Sequence, residues 1–336
     1  YRNRGDGSFE DVTVAVGLSA EVGNGLGVTT GDFDGDGRID LYVANDLTPN
    51  HLWLNRGGRF ESAGLASGSA LNADGQAEAS MGVDAADLDA DGDLDLFMTH
   101  FSRETNTVYL NDGTGFFMDS TEMAGLGTPS WKYTAFGTGF LDYDLDGWLD
   151  LVVVNGAVVF PPGTDREATP YPLDEPNQLF RNLDGSRFQD VSAAAGPAFA
   201  LSEVSRGAVL GDIDNDGDTD VVVTNNSGPT RVLRNEADVA APWVGARAVT
   251  RGRDALGALV WADTAGPAGA IRPIRTDGSY ASARDPRVAI ALGRGFAARR
   301  VALVVRWPSG ARERFEGLAL GRYHTLVEGR GAPASR

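Results

Sequence analysis

Four stretches of this chain repeat one arrangement of aspartates. The first holds Asp32, Asp34, Asp36 and Asp40 around Gly37, the second Asp87, Asp89, Asp91 and Asp95 around Gly92. The third holds Asp142, Asp144, Asp146 and Asp150 around Gly147, the fourth Asp212, Asp214, Asp216 and Asp220 around Gly217. Each reads D-x-D-x-D-G-x-x-D. Carboxylates at positions 1, 3, 5 and 9 converge on one point only if the chain curls, and the glycine at position 6 tolerates the positive φ of a sharp turn. Hard oxygen ligands in a flexible loop select calcium, and magnesium less well. Position 7 (Arg38, Asp93, Trp148 and Asp218) varies freely, as expected if its backbone carbonyl is the ligand. The expectation is about four Ca²⁺ ions.

The elements that must hold these loops are strands. An EF-hand would need a bidentate Glu at position 12 and a following helix. Position 12 here is Val43, Met98, Val153 and Val223, each inside an apolar run such as Leu149-Asp150-Leu151-Val152-Val153. Such runs read as buried strands. Upstream of each loop lies a glycine-containing apolar strand, for example Gly25-Leu26-Gly27-Val28 or Phe136-Gly137-Thr138-Gly139-Phe140. Downstream lies an Asn-bounded strand such as Asn106-Thr107-Val108-Tyr109-Leu110-Asn111, then a glycine turn and a Phe-led strand such as Phe188-Gln189-Asp190-Val191. The loops begin at Asp32, Asp87, Asp142 and Asp212, so the spacings are 55, 55 and 70 residues. Four short strands per unit at this period predict propeller blades rather than a solenoid. The longer spacing holds a proline-rich excursion from Val158 to Pro176. Residues Tyr1 to Leu18 match only the tail of a unit, so the array is expected to be truncated at its N-terminus.

The periodicity ends at Asn235. Ala237 to Pro242 reads as a linker, and residues 243–330 as a second, smaller all-β domain of sandwich or barrel type, rich in Arg. The expected division is therefore 1–236 and 243–330. The chain carries 47 Asp and Glu against 29 Lys and Arg, a net charge of −18, which four divalent ions would bring to −10. That acidity makes nucleic acid an unfitting partner. The absence of cysteine excludes disulfide and thiolate sites. No apolar run approaches ~18 residues, so no membrane span is expected.

The repeats resemble the FG-GAP/VCBS repeats of integrin-type propellers. The whole chain resembles bacterial members of the cartilage acidic protein family, with a C-terminal ASPIC/UnbV domain. The resemblance is carried by Arg206-Gly207-Ala208 leading into Asp212 to Asp218, by Phe140-Leu141-Asp142 through Gly147-Trp148-Leu149-Asp150, and by Arg253 to Ala258, Gly278-Ser279-Tyr280, Asp285-Pro286-Arg287 and Arg306-Trp307-Pro308-Ser309-Gly310. One departure is Asn155-Gly156-Ala157, where the family often shows Asn-Gly-His. The resemblance implies calcium-binding blades, secretion to the extracellular space or periplasm, and an adhesion-like role with a protein or carbohydrate ligand on the propeller face.

No catalytic residue is assigned. There is no Cys nucleophile and no G-x-S-x-G elbow. His51, His100 and His324 lack the sequence surroundings of a base or metal ligand. The alternative reading is a propeller enzyme acting on a small molecule or glycan, its calcium structural. Its candidates are Trp131, Lys132, Tyr133, Arg103, Glu104 and the stretch Asp165 to Glu175.

Overall fold

The computed structural model describes residues 1–160, 172–237 and 241–334. It is all-β apart from short helical turns such as Gly127–Ser130. The repeats build four antiparallel sheets. Sheet 1 comprises β1 (Gly25–Gly31), β2 (Asp40–Asn45), β3 (His51–Asn55) and β4 (Phe60–Ser62), paired in that order. Sheet 2 comprises β5 (Val83–Ala86), β6 (Asp95–Met98), β7 (Thr107–Asn111) and β8 (Phe117–Asp119). Sheet 3 comprises β9 (Ala135–Leu141), β10 (Asp150–Asn155), β11 (Gln178–Asn182) and β12 (Phe188–Asp190). Sheet 4 comprises β13 (Ser205–Gly211), β14 (Asp220–Asn225) and β15 (Arg231–Leu233); among the described residues no fourth strand pairs with β15. The metal-type loop joins the first and second strand of every sheet.

Side chains alternate faces along a strand, and here each face belongs to a different core. Leu151 and Val153 of β10 pack with Leu88, Phe97, Phe140 and Phe180, between sheets 2 and 3. Val152 and Val154 pack with Leu179, Leu210, Val221 and Val223, between sheets 3 and 4. A third core, with Tyr42, Leu52, Val83, Leu96 and Phe117, lies between sheets 1 and 2. Strands buried on both faces read as continuous apolar runs, which is why the position-12 neighbourhoods are so hydrophobic.

The glycines of the first strands have a packing reason. A Cβ on Gly27 would lie 2.5 Å from the carbonyl oxygen of Met81, one on Gly82 2.1 Å from that of Phe136, and one on Gly137 2.9 Å from that of Arg206. Each first strand thus leans its carbonyl against the glycine of the strand before it. The series continues at Gly207, whose Cβ would meet the carbonyl oxygen of Ala281 at 2.0 Å, and Ala281 belongs to the C-terminal domain.

That domain comprises β16 (Trp243–Thr250), β17 (Leu259–Ala262), β18 (Ala283–Arg284), β19 (Val288–Ala291), β20 (Arg300–Arg306), β21 (Arg312–Ala319) and β22 (Tyr323–Val327). Two sheets enclose one core of Val244, Ala246, Val260, Ile290, Leu303, Val305 and Trp307. Strand β18 leaves this pair of sheets and lies parallel on β13, with Val209 opposite Ala283 and Leu210 opposite Arg284. The segment from Ser279 to Arg284 therefore occupies the position a further first strand would take. Most of the proline-rich excursion, and the middle of the expected linker, fall outside the described residues.

Candidate metal centres

Each loop is closed by its ninth residue. Asp40, Asp95, Asp150 and Asp220 are fully buried at the start of the second strand. One oxygen of each accepts the N–H of position 2: Phe33, Leu88 and Tyr143 at 2.9 Å and Ile213 at 2.8 Å. The other accepts the N–H of an asparagine just beyond or ending the third strand: Asn55 at 2.7 Å, Asn111 at 2.9 Å, Asn182 at 2.8 Å and Asn235 at 2.9 Å. The asparagine amides then reach the preceding sheet. Asn111 donates to the carbonyl of Phe33, Asn182 to that of Leu88 and Asn235 to that of Tyr143.

Inside the loop, position 1 receives the N–H of the glycine at position 6 in loops 1, 3 and 4, at 2.9–3.1 Å. The N–H of position 7 donates to position 5 in all four: Arg38 to Asp36, Asp93 to Asp91, Trp148 to Asp146 and Asp218 to Asp216, at 2.9–3.2 Å. Gly37, Gly92, Gly147 and Gly217 have φ of 88–102°. Position 4 is also left-handed: Gly35, Ala90, Leu145 and Asn215 have φ of 56–71°. The left-handed turn at position 4 went unread in the sequence, because three different non-glycine residues fill it.

The curl brings carboxylates together. Ligand-capable oxygens of Asp32, Asp34 and Asp36 lie within 4.8 Å of one another, as do those of Asp87, Asp89 and Asp91, of Asp142, Asp144 and Asp146, and of Asp212, Asp214 and Asp220. Positions 1, 3 and 5 thus meet in three loops. Position 9 joins the cluster in loop 4, while Asp40, Asp95 and Asp150 stand as the latch described above. In loop 4 Asp216 stands outside the triplet, and Asp218 accepts the N–H of Ala237 at 3.0 Å. Every loop also holds one buried carboxylate oxygen without a protein donor: Oδ1 of Asp32, Asp87, Asp144 and Asp218. A buried, unpaired carboxylate oxygen is costly unless a cation meets it. A hard, oxygen-seeking divalent ion fits this donor set.

Without a cation, burial pushes these acids up. Asp40 and Asp87 rise to about 6, Asp142 and Asp218 to about 7 and Asp150 to about 9, with burial the leading cause in each. Arginines offset part of the charge from outside. Arg56 meets Asp34 at 2.5 Å, and Arg181 meets Asp144 and Asp146, both at 2.8 Å. These arginines stand partly exposed on the rim, where ion pairs contribute little.

The remaining candidates serve turns. Arg103 donates its N–H to the carbonyl of Trp131 at 2.7 Å, and Glu104 accepts the N–H groups of Ala79 and Phe101 at 2.9 and 3.3 Å. The ammonium of Lys132 sits 4.6 Å over the Tyr133 ring. His100 is buried and held neutral, its pKa lowered to about 3, and His51 lies 3.4 Å from Glu21. His324 bonds the carbonyl of Ala319 at 2.8 Å. Asp165 to Tyr171 lie outside the described residues.

Residues 1–43, 32–98 and 87–153 match the FG-GAP-like repeat, and residues 248–333 match the ASPIC and UnbV domain. The chain thus carries FG-GAP-like repeats followed by an ASPIC and UnbV domain. It is similar to cartilage acidic protein 1. The Mus musculus protein is 26% identical over 317 residues, covering 92% of this chain and 45% of the relative. The Homo sapiens protein is 27% identical over 201 residues, covering 54% and 27%. The chain spans less than half the length of these curated relatives. Among solved structures, an Agrocybe aegerita protein described as recognising non-reducing terminal N-acetylglucosamine aligns with a TM-score of 0.35 at 19% identity, over 62% of this chain and 51% of that one. At that TM-score the likeness bears on neither fold nor ligand.

Proposed function

We propose that this chain is a calcium-dependent interaction module, its four sheets the consecutive blades of a β-propeller and its calcium structural. The observation that carries the metal reading is the buried carboxylate oxygen without a protein donor in each of four loops, which in loops 1 to 3 belongs to a triplet of acids within 4.8 Å of one another. The blade reading is supported by the sheet-on-sheet cores and by the leaning of each first strand on the one before. The ions would sit in the loops that join first to second strands, held by positions 1, 3 and 5 in loops 1 to 3 and by Asp212, Asp214 and Asp220 in loop 4. Their chemistry there is charge neutralisation, which makes the loops rigid. A role at the cell exterior or in the periplasm follows from this reading, because extracellular modules work at millimolar calcium.

A protein or carbohydrate partner would be taken on an outer surface. Among the described residues the outer edge of strand β15 is unpaired, beside a groove of about 650 Å³ lined by Leu141, Tyr143, Leu179, Phe199 and Val232. Phe117 and Phe188 of β8 and β12 fill the corresponding cores between the earlier sheets. An extended segment presenting an aromatic side chain suits that edge.

The test is calcium titration calorimetry on metal-stripped protein, with magnesium as the comparison. Uptake of about four calcium ions, with weaker magnesium binding, is expected. A flat calcium isotherm would end this reading.

A further inference from the structure

The first aspartate of the loops faces the C-terminal domain. In loop 1, Oδ2 of Asp32 accepts from the guanidinium of Arg306 at 2.6 Å, while Oδ1 stays buried without a donor. In loop 2, Oδ2 of Asp87 accepts the N–H of Ile271 at 2.8 Å, and again Oδ1 has no donor. In loop 4, Oδ2 of Asp212 accepts the hydroxyl of Tyr323 at 2.8 Å. Loop 3 is reached differently: the buried Arg272 donates to the carbonyl of Gly147 at 2.9 Å, and its charge acts on both Asp87 and Asp142. Arg287 adds bonds to the carbonyl of Asp212 at 3.0 Å and to the side chain of Asn215 at 2.5 Å. Four separate points of one domain thus reach four loops on four different sheets.

We infer that Arg306, Ile271, Arg272 and Tyr323 are positioning residues for the metal loops, so that calcium binding and docking of the C-terminal domain are one linked equilibrium. This rests on the calcium reading above. A carboxylate held on one oxygen by a fixed donor cannot rotate, and its other oxygen is aimed. In loops 1 and 2 the aimed oxygen is the buried one without a donor. Partners outside the coordination shell that orient a ligand are worth 10–100-fold in metal affinity. Linkage makes the effect reciprocal: whatever affinity docking adds for the ion, the ion adds for docking. An undocked domain would leave Asp32, Asp87 and Asp212 to water on one side, with Asp32 and Asp212 held only from within their own loops.

Tyr323→Phe is the sharpest variant. The ring packs edge-on against Trp243, centroids 5.4 Å apart, and under the Arg287 guanidinium at 4.5 Å; phenylalanine keeps both contacts and loses only the hydroxyl. Calcium calorimetry of wild type, Tyr323→Phe and Arg306→Gln is the experiment, paired with thermal unfolding in calcium and in EDTA. In each variant, about tenfold weaker binding is expected at one site of the set, the others holding. Arg306→Lys should recover part of the loss that Arg306→Gln shows. The calcium-induced gain in Tm should shrink in Tyr323→Phe, its Tm falling further below wild type in calcium than in EDTA. Variant isotherms that superpose on a calcium-binding wild type would overturn the inference and leave the calcium reading standing. Wild-type protein that takes up no calcium would end both. A Tm lowered equally in calcium and EDTA, at unchanged affinity, would reduce these side chains to ordinary packing and also overturn the inference.

Discussion

The carboxylate of Asp150 accepts the main-chain N–H of Asn182 across 32 residues of sequence at 2.8 Å, and its second oxygen accepts the N–H of Tyr143 at 2.9 Å. The first bond ties the loop to the third strand, and the second closes the loop on itself. The ninth aspartate is thus a latch before it is anything else. Asp150→Ala leaves two buried N–H groups without an acceptor, at about 1–3 kcal/mol each, so a loss of about 2–6 kcal/mol is expected. Urea unfolding monitored by far-UV circular dichroism reads it. A midpoint equal to wild type would show that water or a neighbour satisfies both donors.

The raised acids predict an inverted pH dependence for the metal-free protein. Asp40, Asp87, Asp142, Asp218 and Asp150 have folded values of about 6, 6, 7, 7 and 9, against an unfolded value near 3.8. Between those limits the folded state holds more protons than the unfolded state, so stability falls as pH rises. The contribution is fully present below about pH 4 and is lost through pH 6–9. In EDTA, Tm should therefore drop from pH 5 to pH 8. Calcium competes with those protons, so saturating calcium should flatten or reverse the slope, and calcium affinity should rise over the same window. A Tm that climbs with pH in EDTA would contradict the burial argument.

Where the two domains meet, Asp84 stands buried between Arg275 and Arg284, each bonded to one of its oxygens. Arg275 also donates to Thr29 at 2.8 Å, and Asp84 accepts the N–H of Phe140 at 3.1 Å. Three sheets and the C-terminal domain therefore share one ion cluster. Asp84→Ala leaves two arginines near each other with only the more distant Asp277, 4.0 Å from Arg275, as counter-ion. Breaking a buried pair from one side costs about 3–5 kcal/mol. Denaturant unfolding should show that loss and split into two transitions, repeats and C-terminal domain. One transition at the wild-type midpoint would show that the cluster does not hold the domain.

The loops, their glycines and the strands around them were legible because they recur in register, and recurrence separates signal from composition. The same repetition located the asparagines of the third strands, although only the fold shows Asn111 and Asn182 bridging to the preceding sheet. Asp84, Arg275, Arg284, Arg306 and Tyr323 occur once each. Nothing periodic marks them, and their partners lie more than 100 residues away, so no local pattern could pair them. The basic bias of the C-terminal domain was visible in the sequence. Its purpose, to face the acidic loops, needed the fold. The glycines of the first strands were likewise visible, but the carbonyl packed against each one comes from a different sheet.

Calcium removal is the broadest prediction. Taking Kd at ~10⁻⁴ M and free calcium at ~1 mM, each site contributes about RT ln 11, or roughly 1.4 kcal/mol. Four sites sum to roughly 5–6 kcal/mol, comparable to the whole net stability of a typical domain. Sequence alone would confine that effect to the repeats, since the C-terminal domain has no loop of this kind. The contacts of Arg306, Ile271, Arg272 and Tyr323 change the expectation. Chelation loosens the four loops on which that domain is docked, so it should lower the unfolding transition of both parts. Asp144→Ala, which removes one ligand from one loop, should cost a fraction of what chelation costs and leave the C-terminal domain docked. Scanning calorimetry in calcium and in EDTA separates the outcomes. A large shift in both transitions supports metal loops coupled to docking, and a shift of the repeat transition alone supports metal without the coupling. Superimposable scans would reduce all four loops to acidic turns.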